Sequence, residues 1–154
     1  MMSNHLSRTR FALSEVKAHL KIDGIDADVI SSYLVQYLLV AFYSEMEETV
    51  ASTIRTRLHF NGDKKLETFV CTTNEKMIGR IKKSEIKDVL KVFGCEDGEL
   101  LEDVTEEEIG YYSAAISNRH KVSHSQGATI TLTQFERAVE AADKILDSLK
   151  RCLA

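Results

Sequence analysis

Not one of the 154 residues is proline. Proline inside a helix removes a backbone donor and clashes with the preceding turn, so a chain without it can carry unusually long helices. The longest candidate runs from about Val29 to Phe60. Asp26 or Asp28 is placed to cap its start, and Asn61-Gly62 offers a left-handed stop. Such a helix spans roughly 45–50 Å. Its middle, Tyr33 to Tyr43, is apolar nearly all round apart from Gln36. A helix of that kind buries more than one side. In a small domain, a second copy of the chain is the economical cover.

Helical periodicity continues on both sides. Leu6, Leu13, Val16 and Leu20 make one stripe, closed by Asp23-Gly24. Residues 61–73 read as a polar connection with a short apolar piece, Phe69-Val70-Cys71. Asn74 is read as opening a helical stretch through Met77, Ile78 and Ile81. Ser84-Glu85 looks like a fresh cap before Ile86, Val89, Leu90 and Phe93. Thr105-Glu106-Glu107-Glu108 is a capping box for a helix carrying Ile109, Tyr112, Ile116 and Arg119, broken at Ser125-Gln126-Gly127. Thr133-Gln134-Phe135-Glu136 reads as a second box. It opens the cleanest amphipathic pattern: Phe135, Ala138, Val139, Ala142, Ile145, Leu146 and Leu149. No useful strand alternation and no internal repeat appears. The pattern predicts one all-α domain over residues 1–154, an up-and-down bundle of four to five main helices with a short helical insert.

Composition narrows the function classes. The chain is 44% hydrophobic and 29% charged, a globular balance that argues against disorder. A net charge of −4 argues against coating nucleic acid by bulk charge. The charge is uneven, however: Glu96, Asp97, Glu99, Glu102, Asp103, Glu106, Glu107 and Glu108 fall in a stretch without Lys or Arg. Setting those eight acids aside leaves +4, so a locally positive surface is compatible with the acidic total. The three cysteines, Cys71, Cys95 and Cys152, lie far apart, with no C-x-x-C and no disulfide framework. The first residues hold no apolar signal core, and the eleven-residue Tyr33–Tyr43 run is too short for a bilayer. These readings lead to the expectation of a cytoplasmic protein with no membrane partner.

Neither a phosphate loop, a G-x-G-x-x-G nor a G-x-S-x-G is present. The polar cluster that stands out is Asn118-Arg119-His120-Lys121-Val122-Ser123-His124. A basic helix C-terminus is one reading, because the helix dipole favours cations there. His120 and His124, at i and i+4, share a face if the helix persists, yet no third ligand is evident and Lys121 stands where a zinc protease needs glutamate. No metal or other cofactor is therefore expected. The third reading is metal-free RNA cleavage. Histidine suits proton transfer, with an ordinary pKa of about 6.5, and the arginine fork suits a phosphate in the transition state. Arg119 and His124 are those residue types. Their spacing turns about 140° around a helix, so spacing by itself is weak evidence.

Arg119-His120-Lys121-Val122-Ser123-His124 is an R-x4-H motif, and it resembles the signature of HEPN domains, with His120 at a position where that superfamily carries Asn, Asp or His. Tyr43-Ser44-Glu45-Met46-Glu47-Glu48-Thr49-Val50 is similar to the Y-A-x-x-E-x-x-V pattern of the long helix in several HEPN families, with Glu47 at the acidic position. Leu90 to Gly94 and the closing amphipathic helix fit as well, so the resemblance covers roughly residues 29–150. Ser125 and Gln126 depart from the glycine common after the motif, and Ser123 from a frequent alanine. The resemblance implies a HEPN-like bundle that dimerises through its motif helices. It also implies metal-independent cleavage of single-stranded RNA to 2′,3′-cyclic phosphate ends. Arg119 and His124 would be catalytic, with His120, Asn118 and Glu47 supporting. An antitoxin or an ATPase is an implied partner, in a toxin–antitoxin or phage-defence setting. The alternative within the family is an inactive scaffold that dimerises or binds nucleotides.

Overall fold

The computed structural model describes residues 4–21, 27–59, 62–96, 101–123 and 127–154. Six helices and no strand occur among them: α1 (Ser7–Leu20), α2 (Ala27–Arg57), α3 (Lys64–Thr73), α4 (Lys83–Val92), α5 (Glu106–Ser123) and α6 (Leu132–Leu153). The fold is an all-α bundle, as the periodicity predicts. The long helices alternate in direction. Ion pairs Arg10–Asp143 and Lys17–Glu136 set α1 antiparallel to α6. Arg8–Glu48 at one end, with Val16 and Leu34 lining one groove at the other, sets α1 antiparallel to α2. Lys144–Glu108 and Thr129–Asn118 do the same for α5 and α6.

The core follows from the helical pattern. Every position of the α6 stripe from Phe135 to Leu149 is buried, as are Val35, Leu38, Leu39, Phe42, Met46, Val50 and Ile54 of α2. Phe42 packs edge-on against both Tyr112 and Phe135, with ring centroids 6.2 and 5.7 Å apart. Such aromatic pairs contribute about 0.5–1.5 kcal/mol each beyond the area they bury. The opposite side of α2 stays open: Val29, Tyr33, Tyr37 and Val40 are exposed, and exposed Phe11 of α1 lines a groove with Tyr37. The apolar stretch is thus half core and half surface. By length and composition α2 also reaches the threshold for crossing a membrane, with a mean hydropathy of 1.2, because the full helix extends well beyond the eleven-residue run.

Several local expectations are corrected. Residues 64–73 form α3, started by Asp63, whose carboxylate accepts from the Leu66 N–H at 2.9 Å. None of its residues is buried, which is why periodicity missed it. Asn74 caps the end of α3, and turns rather than a helix follow to Gly79. Lys82, not Ser84, is the N-cap of α4; Glu85 reaches back to the Lys82 N–H. Thr131 with Gln134, rather than Thr133 with Glu136, forms the box of α6. The Thr105–Glu108 box stands as read. Asp23, Gly24, Asp26, Phe60, Asn61, Ser125 and Gln126 lie outside the described residues.

One cap comes from a distance. Leu6, at the N-cap of α1, has no side chain that accepts a hydrogen bond. The N–H groups of Arg8 and Thr9 donate instead to the buried Glu45 carboxylate of α2, at 3.0 and 2.7 Å. A buried carboxylate is tolerated because donors replace its lost water.

Candidate functional site

Two stretches far apart in sequence meet where α2 passes α5. The Arg119 guanidinium carbon lies 4.4 Å from the centroid of the Tyr43 ring. The His120 ring meets the same ring edge-on, with centroids 5.8 Å apart. Neighbouring residues of α5 therefore both engage one half-buried phenol. The stack restricts a long cation that would otherwise sample many rotamers. Burial raises the pKa of Tyr43, and the Glu47 charge one turn on adds to the rise while Arg119 opposes it. The phenol stays protonated at neutral pH. Glu47 is exposed beside this contact.

Asn118 points to a different task. It is buried, donates to the Ala114 carbonyl at 2.9 Å, and accepts from the Thr129 N–H at 2.6 Å and the Thr129 hydroxyl at 3.0 Å. It ties the connection before α6 back onto α5. His124 lies outside the described residues, so the structure brings together Tyr43, Glu47, Arg119 and His120. Among the described residues, no group of three or more His, Cys, Asp or Glu side chains is placed to hold a metal ion.

The site's floor is set by the insert. The buried Tyr112 hydroxyl donates to the Ile81 carbonyl, fixing the chain just ahead of α4 against α5. Gly79 turns there at φ +85°, facing α2 so that a Cβ placed on it would lie 3.7 Å from the Glu47 carbonyl oxygen. Between α4 and α5 lies a groove of about 490 Å³, lined by Lys82, Lys83, Ser84, Ser113, Ser117 and His120. Sequence reasoning missed the roles of Tyr43 and of this groove. The Lys82-Lys83 pair was its visible signal, but only the fold sets it opposite the serines.

No family model, curated protein or solved structure matches the chain.

Proposed function

We propose that the chain is a metal-independent endoribonuclease of the HEPN type, acting on single-stranded RNA in the cytoplasm as a homodimeric toxin or phage-defence effector, held in check or recruited by an antitoxin or ATPase partner. The observation that carries this reading is the Tyr43–Arg119 contact. The tyrosine pattern of α2 and the R-x4-H motif of α5 resemble HEPN signatures separately, and they meet in space at that ring.

In the proposed reaction the RNA 2′-oxygen attacks phosphorus and the bond to the 5′-oxygen breaks. The 2′-proton is taken by a base, a proton is delivered to the departing 5′-oxygen, and a 2′,3′-cyclic phosphate remains. His124 performs proton transfer, an effect typically of about 10²–10⁴-fold. Arg119 neutralises charge growing on the phosphoryl oxygens. One histidine cannot be both base and acid in a single step, so a two-fold axis beside the site supplies the second set. Glu47 and His120 orient these groups, and Asn118 supports the helix that carries them.

The test is single-turnover cleavage of a labelled single-stranded RNA in EDTA, beside growth of cells expressing the chain. Cleavage is expected to survive the chelator. His124→Ala should abolish turnover with RNA binding near wild type, whereas Arg119→Ala should lose both and Arg119→Lys should recover little. Loss of activity in EDTA with recovery on zinc or manganese would favour a metal site at His120 and His124. Equal growth of cells carrying the wild type and the Arg119→Ala, His124→Ala double variant would favour the inactive scaffold.

A further inference from the structure

We propose that the groove between α4 and α5 is the track along which the phosphodiester backbone of single-stranded RNA reaches Arg119, with Lys82 and Lys83 on the phosphates and Ser113 and Ser117 hydrogen-bonding beside them. The assignment deepens the endoribonuclease reading and rests on it for the class of ligand.

Three observations converge. Charge is segregated: residues 76–91 carry Lys76, Arg80, Lys82, Lys83, Lys87 and Lys91 against only Glu85 and Asp88, a net +4 in a chain of −4. A polyanion is drawn to such a segment, while the acidic remainder of the chain repels it. The wall facing these lysines carries a polar row beside apolar Tyr112 and Ile116, because Ser113, Ser117 and His120 succeed one another at helical spacing and all line the groove. Hydroxyls contact phosphate and sugar oxygens without reading base identity. The row also has a direction: His120 ends it and shares the Tyr43 ring with Arg119, so a strand in the groove is delivered to the guanidinium.

Among the described residues, Glu106 at the start of α5 pairs with the Lys83 ammonium at 3.8 Å. Glu106 is 92% exposed, so water and salt screen that pair and a phosphate can displace it. The insert is held in place by Tyr112 on Ile81, so the lysines are presented from a fixed segment.

The experiment is anisotropy titration of a fluorescein-labelled single-stranded RNA of about 12 nucleotides, a length suited to one binding groove. It uses the full chain on a His124→Ala background, so that RNA is not consumed, at several salt concentrations. Each lysine neutralising a phosphate of single-stranded nucleic acid contributes about 0.7 to the slope of log K against log salt. The Lys82→Ala, Lys83→Ala pair should therefore lower the slope by about 1–1.5 and weaken binding roughly tenfold near 0.1 M salt. Ser113→Ala with Ser117→Ala should weaken binding a few-fold and leave the slope unchanged. Lys64→Ala with Lys65→Ala, on α3, should change nothing. Lys82→Gln with Lys83→Gln repeats the measurement with longer side chains, and thermal melts verify that the variants are folded.

An unchanged slope in both lysine pairs would overturn the track, as would competition by inorganic phosphate as effective, per phosphate, as that of RNA. The two proposals fail separately. If the wild type binds RNA with the expected lysine dependence but never cleaves it, the track stands and the endoribonuclease reading falls. If it cleaves and the lysine variants bind as the parent does, the reverse holds.

Discussion

At the scale of single residues, the site depends on how one phenol ring holds a cation. A guanidinium over an aromatic face gains about 0.5–2 kcal/mol, and phenylalanine offers the same face without the hydroxyl. Tyr43→Phe should therefore keep cleavage within a few-fold, whereas Tyr43→Ala should cost about tenfold or more in single-turnover rate, together with about 1–3 kcal/mol of stability from the lost half-buried ring. Equal losses in both variants would shift the role from the ring to the hydroxyl. A second residue ties stability to pH. The Lys144 ammonium and the Thr105 N–H hold the Glu108 carboxyl below its ordinary value. A carboxyl lowered on folding contributes stability above its unfolded pKa, and that contribution is lost as pH falls through the folded one. Glu108→Gln should therefore destabilise the chain by about 0.5–2 kcal/mol at neutral pH. The gap to wild type should close below about pH 4 in a denaturant series.

At the scale of elements, the insert is a short pair of helices whose own burial is slight, yet it sets one wall of the site. α3 buries nothing, while α4 buries Ile86, Val89 and Leu90. The turn between them depends on Gly79 at φ +85°. A Cβ there would meet Ala51 and the Glu47 carbonyl at ordinary contact distances, so the backbone conformation is the only obstacle. Gly79→Ala should cost about 1–2 kcal/mol. Gly110 gives the opposite case, lying within α5 with open space where an alanine methyl group would sit. Gly110→Ala should stabilise by about 0.5–1 kcal/mol. Urea unfolding of the two variants checks both signs.

At the scale of the whole molecule, the open apolar face is the feature a lone bundle does not explain. Phe11, Tyr33 and Tyr37 are each more than 60% exposed on adjoining helices. The proposed dimer would use this face in addition to the motif helices, and light scattering should report twice 17.4 kDa at micromolar concentration. Tyr33→Glu with Tyr37→Glu should yield a folded monomer that has lost cleavage; a fully active monomer would remove the composite site. The bundle was legible along the chain: its long helices, the α6 core stripe and the Thr105 cap depend on residues within a turn or two of one another. Helical periodicity records such relations directly. The start of α6 offers two overlapping local boxes, Thr131 with Gln134 and Thr133 with Glu136, and the helix uses the first, two residues beyond the Thr129 that Asn118 holds. The cap of α1 came from Glu45, a helix away. Tyr43 reached Arg119 only because Phe42 and Tyr112 pack α2 against α5. Contacts of this kind join residues that are distant along the chain. No local pattern encodes them, and they exist only once burial of the apolar stripes has fixed which helices lie side by side.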